Sequence, residues 1–102
     1  MKMLTREEAE EFAGWFQCLA DPTRLQILNH VARAGGPITV GDVVDAVGKS
    51  QSTVSRHLKV LADERYVMME PDGVRTLVRV NDACMTELPA AAAKIMAAGD
   101  SA

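Results

Sequence analysis

Two cysteines, four aromatic residues and four prolines are all that this 102-residue chain holds of those types. Cys18 and Cys84 lie too far apart for a CxxC zinc site and are too few for a disulfide framework. In a reducing compartment they stay thiols unless they are sensors. With so few aromatics, the core of a chain that is 48% apolar must be mostly aliphatic. No apolar run approaches the roughly 20 residues that span a bilayer. Residues 1–20 are acidic rather than basic ahead of any apolar run, which speaks against a secretory signal and for the cytoplasm. A Ser/His/Asp grouping, a glycine-rich phosphate loop and a site for metal-bound water are all missing, so an enzyme is not expected. The length fits one small domain, residues 1–102, with no repeat, linker or low-complexity tail.

The punctuation that is present places the elements. Thr5-Arg6-Glu7-Glu8 reads as a capping box, starting a helix that runs to about Ala20 with Phe12, Trp15, Phe16 and Leu19 as its apolar stripe. Asp21-Pro22 restarts the chain as N-cap and first helical residue, and Leu25, Ile27, Leu28 and Val31 are expected to face inward until Gly35-Gly36-Pro37. A short helix is predicted from Thr39 to Val47 with Gly48 as its stop, and another from the cap Ser50 to about Glu64. The period then changes to that of a hairpin: Tyr66 to Glu70, a turn at Pro71-Asp72-Gly73, and Val74 to Val80. Asn81 caps an alanine-rich last helix that should end near Gly99 and be kinked or split by Pro89. The predicted fold is mainly α with a small β-hairpin, in the order α-α-α-α-β-β-α: a winged helix-turn-helix.

The segment Lys49 to Leu61 carries two patterns at once. Val54, Leu58 and Leu61 stand at i, i+4 and i+7, one buried stripe of a helix. Around them lie Lys49, Gln51, Ser52, Ser55, Arg56, His57 and Lys59, with three full positive charges and no acid. A helix of that kind suits the DNA major groove, which admits one helix and is read by such donors and acceptors. The net charge of −3 argues mildly the other way, but much of the acid sits at Glu7, Glu8, Glu10 and Glu11, far along the chain. A solvated basic face, or a winged-helix module that binds protein, are the competing readings; the second calls for an acidic or apolar outer face, and the start of this helix is the opposite. His57, next to the buried stripe, suits packing as well as base reading, and His30 reads as structural or exposed.

Phe16-Gln17-Cys18-Leu19-Ala20-Asp21-Pro22-Thr23-Arg24-Leu25-Gln26-Ile27-Leu28 resembles the "ALaDPTRLrIL" signature of the ArsR/SmtB family of bacterial repressors. Gln51 to Leu61 is similar to that family's recognition helix, and the likeness covers nearly the whole chain. It implies a homodimer built from the first and last helices (about 5–20 and 82–98), bound to a palindromic operator in double-stranded DNA. Ser52, Ser55 and Arg56 would then reach base edges, with Gln51 and Lys49 near phosphates and Arg75 as the wing contact. Alanines in the last helix, which permit close helix approach, and the underused apolar face of the first support a dimer independently.

Many members of this family release DNA when a metal or metalloid binds, and two ligand patterns are known in it. One is a cysteine pair in an "ELCVCDL" segment; here Ile38 to Val44 contains no sulfur. The other joins Asp-x-His to a distal pair on the last helix; here Asp82-Ala83-Cys84 has Cys in the His position, and the distal positions are Ile95 and Ala98. Cys18 and Cys84 remain. No cofactor is required, and two thiolates would suit a soft inducer of the mercury(II) or arsenic(III) type, the latter with a third ligand from elsewhere. Thiol oxidation and plain packing of both cysteines are the alternatives. Cys84, in the first turn of its helix, is expected to be the better thiolate, and Cys18, at a helix C-terminus, the worse.

Overall fold

A computed structural model describes residues 3–98. The elements are α1 (Arg6–Cys18), α2 (Pro22–Ala34), β1 (Ile38–Thr39), α3 (Val40–Val47), α4 (Gln51–Asp63), β2 (Val67–Asp72), β3 (Arg75–Val80) and α5 (Asp82–Ile95). The helix starts follow from local chemistry. Thr5 and Glu8 form a reciprocal capping box, as do Thr39 and Asp42, while Asp21, Ser50 and Asn81 each accept a backbone N–H of the helix they open.

Helices α2, α3 and α4 pack around Ile27, Val31, Val43, Val54, Leu58 and Leu61, closed on one side by Tyr66 and, from the sheet, by Val67 and Val78. The strands run antiparallel in the order β1-β3-β2, with Ile38 opposite Val78 and Val67 opposite Val80. Outside this core, α1 buries only Cys18 and α5 only Ala91. The molecule is accordingly elongated, 53 × 22 × 21 Å.

Four expectations need correction. Leu25 does not face inward but is 48% exposed. It lies two residues from Ile27, about 200° around a helix, so the two cannot share a face. The two-residue strand β1 was not expected; it is too short to show a period and exists only through pairing with β3. The hairpin turn is displaced by one residue: Asp72 pairs with Arg75, leaving Gly73-Val74 as the loop, with Gly73 at φ 63°. Pro71 is tolerated inside β2 because that strand is a sheet edge. Helix α1 stops at Cys18 rather than near Ala20, closing with i→i−3 bonds from Leu19 and Ala20, since a residue before proline, here Asp21, avoids helical backbone.

The last helix also differs. α5 continues through Pro89 as one segment and ends at Ile95; the predicted end at Gly99 lies outside the described residues. Its end is a Schellman closure, with Ala97 at φ 54° in the left-handed position and Ala98 N–H donating to Ala93. Helix α4 ends the same way. Arg65 takes the left-handed position at φ 64°, its N–H donating to Ala62, and Tyr66 N–H donates to Leu61. That conformation costs a residue with a side chain about 1–2 kcal/mol relative to glycine.

Candidate nucleic-acid interface

Helix α4 owes its position to Val54, Leu58 and Leu61, each fully buried. At 100° per residue, the exposed Gln51, Ser52, Ser55, Arg56 and Lys59 occupy an arc of about 140° on the other side. The cap is a small network: Ser50 Oγ accepts from Thr53 N–H at 3.2 Å, donates to Thr53 Oγ1 at 2.9 Å and lies 3.2 Å from Ser52 Oγ. Lys49, just ahead of the cap, is exposed. Arg56 has no ion-pair partner among the described residues, whereas Lys59 lies 3.7 Å from Asp63 on its own helix.

The remaining candidates sit elsewhere. His57 is half-buried and turned toward α2, where its Nδ1 accepts a hydrogen bond from Arg24 Nε at 3.3 Å. The same guanidinium donates to the carbonyl of Cys18 at 2.9 Å, and Arg24 N–H donates to Asp21. Arg24 therefore ties the end of α1, the start of α2 and helix α4 together. The sequence displayed Arg24 within a motif without indicating this role. Arg75 is exposed near the hairpin tip but paired with Asp72 at 3.0 Å, so its charge is already partly answered. His30 is half-buried on α2, and its charge helps to hold the Asp42 carboxyl below the usual range, after the larger effect of hydrogen bonds from Thr39.

The two cysteines fall in different places. Cys18 is buried and lines an open hollow of about 530 Å³ with Gly14, Asp21, Arg24 and Val60. Cys84 is half-buried and lines a cavity of about 420 Å³ with Trp15, Arg65, Tyr66, Asn81 and Glu87. Tyr66 stands beside both: either thiolate would hold its phenol further above the ordinary value, where burial has already placed it. Its hydroxyl donates to the carbonyl of Trp15 at 3.0 Å. Among the described residues no three His, Cys, Asp or Glu side chains gather to hold an ion, so a three-ligand arsenic site is not assembled within one chain.

Both thiols shift upward, Cys18 as well as Cys84, so its place at the start of a helix does not make Cys84 a thiolate. Burial pushes its pKa up and Glu87 adds to the rise, while Sγ–H donates to the Arg65 carbonyl at 2.9 Å. Burial also raises Cys18, against an opposing pull from Arg24. Thiols whose folded pKa lies above the unfolded one stabilise the fold below the unfolded pKa, about 8.5, and that contribution is lost as pH rises through the folded value. The parent is therefore expected to lose stability between neutral pH and the alkaline range more steeply than Cys18→Ala/Cys84→Ala. Denaturant melts across that range check it, and parallel profiles would refute it.

Helix α3, the turn at Gly48 to Ser50, helix α4 and the β2–β3 hairpin define a winged helix-turn-helix protein. The sequence model of the bacterial regulatory protein arsR family matches residues 21–68, from the cap of α2 into β2. The chain is 40% identical over 76 residues to the "Probable mercury resistance operon repressor" of Streptomyces lividans, covering 74% of this chain and 59% of that protein. It is 33% identical over 85 residues to the HTH-type transcriptional regulator NmtR of Mycobacterium tuberculosis, covering 83% of this chain and 69% of NmtR. The crystal structure of NolR from Sinorhizobium fredii superposes with a TM-score of 0.71 at 30% identity, over 93% of this chain and 96% of NolR. The chain belongs to the arsR family of bacterial regulatory proteins.

Proposed function

We propose that this protein is a dimeric, cytoplasmic transcriptional repressor that binds a palindromic operator and releases it when an inducer binds. The observation that carries this reading is the exposed arc Gln51, Ser52, Ser55, Arg56 and Lys59, opposite a fully buried stripe on the same helix. Arg56 and the serines meet base edges, Lys49 and Gln51 the phosphates, and Arg75 the flanking backbone. His57 serves by holding α4 on α2. Dimerisation through α1 and α5 is supported by their small share of the core and by Phe16, Met85, Ile95 and Met96, which stay exposed in one chain. A twofold axis there sets the two half-sites about 34–36 Å apart and leaves the acids of α1 away from the duplex.

For the inducer, the name of the Streptomyces relative supports a thiophilic ion of the mercury(II) type, taken by the cysteine sulfurs. One chain offers Cys18 and Cys84; arsenic(III) would need its third ligand from the second copy. Since both thiols are held protonated, ion binding must release protons and tighten as pH rises. The test is fluorescence anisotropy on the upstream promoter DNA at stated salt, followed by titration of the reduced complex with Hg(II), As(III) and an oxidant. Release by Hg(II), with ultraviolet thiolate-to-metal absorption that Cys84→Ser removes, is the expected result. Release by the oxidant alone would replace the metal with thiol oxidation, and indifference to all three would leave the cysteines as packing residues. Absence of any sequence preference would refute the repressor reading itself.

A further inference from the structure

Helix α4 and the wing are joined by Glu64, Arg65 and Tyr66, and neighbouring elements grip the last two. Arg65 occupies the left-handed backbone region, where glycine is the usual occupant. Its carbonyl accepts two hydrogen bonds from the start of α5: Asn81 Nδ2 at 2.9 Å and Cys84 Sγ at 2.9 Å. The adjoining peptide is fixed as well. Tyr66 N–H donates to Leu61, and its carbonyl accepts from Asn81 N–H at 2.9 Å. Its hydroxyl reaches the Trp15 carbonyl on α1. Unfavourable backbone conformations persist where the surroundings over-determine them, and here Arg65 and Tyr66 are held from α1, α4 and α5 at once.

We infer that Asn81 and Cys84 are positioning residues for DNA binding: by holding the Arg65 carbonyl they fix the direction in which the wing leaves the recognition helix. The inference rests on the DNA-binding reading but assigns a role to residues that touch no DNA. It requires no metal, since both donors are in place in the chain as it stands.

The two roles of Asn81 can be separated. Its Oδ1 caps α5 by accepting from Ala83 N–H, while its Nδ2 holds Arg65. Asn81→Asp keeps the capping oxygen and loses the donor. Cys84→Ala removes the second donor, whereas Cys84→Ser keeps one. We expect the full-length Asn81→Asp/Cys84→Ala variant to bind operator about five- to tenfold more weakly, within what loss of two hydrogen bonds permits, with binding to random duplex unchanged. Its Tyr66 and Asn81 amides should exchange hydrogen faster, and Cys84→Ser alone should match the parent in metal-free operator affinity and in amide exchange. Parent-like operator affinity together with parent-like exchange in the double variant would overturn the inference. So would Cys84→Ser matching Cys84→Ala, because sulfur packing would then be the cause. If the parent itself shows no sequence preference, the repressor reading fails, and amide exchange still decides whether the grip exists.

Discussion

Arg56→Ala is expected to weaken operator binding by about 5- to 150-fold, the range that a good bidentate base contact of 1–3 kcal/mol gives. Arg56 is exposed near the middle of α4, on the arc opposite the buried stripe, without an ion-pair partner among the described residues. Nothing in the folded chain compensates for losing its guanidinium, and nothing in the core depends on it, so the thermal midpoint should stay within error of the parent. Anisotropy titrations at several salt concentrations distinguish its role from that of a phosphate contact. A base contact relaxes preference at one operator position and leaves the salt slope nearly unchanged; Lys49→Ala should instead lower that slope by about one. Arg75→Ala should have a smaller effect than Arg56→Ala, because Asp72 already shares the charge. An Arg56→Ala affinity equal to that of the parent would remove α4 as the reading element.

Leu58→Ala is the expected large effect on stability. Leu58 is completely buried between α4 and the rest of the core, beside Val54 and Leu61. Truncating a leucine in such a place costs about 2–5 kcal/mol, from lost transfer energy and the void left behind. Against a total of about 5–15 kcal/mol for a domain, this is a large share. At about 4–8 °C per kcal/mol for a chain of this size, the midpoint should fall by at least about 8 °C. Circular dichroism melts at one fixed protein concentration measure it, since dimerisation would make the midpoint concentration-dependent. A fall of less than about 2 °C would mean that α4 is not anchored as described.

Much of the fold is legible in the sequence because much of it is set by residues three or four positions apart. The caps at Thr5, Asp21, Ser50 and Asn81 are reactions between neighbours, and each appears where the sequence placed it. The stripe Val54, Leu58, Leu61 works for the same reason. Where the sequence failed, a distant partner decided. Leu25 appeared to belong inside on hydrophobicity alone, but Ile27 and Val31 chose the buried face and Arg24 took the inward position beside them. The hairpin turn moved by one residue because register is a property of two strands, and β1 could be seen only once β3 lay beside it.

The candidate site divides along the same line. The chain order by itself determined a helix with one apolar and one polar, basic face, placed after a short helix and before a hairpin. That order was enough for the fold class, because amphipathic period and capping chemistry are local. Only the tertiary structure decided which polar side chains of that helix face outward. It turned His57 toward Arg24, and it desolvated both thiols, which raises the pKa of Cys84 as well as that of Cys18, where helix position alone favours a thiolate at Cys84. It also put Arg65 in a left-handed conformation, gripped by Asn81 and Cys84 from 16 and 19 residues along the chain. Desolvation and long-range hydrogen bonds depend on which segments meet, and no spacing within one helix encodes that meeting.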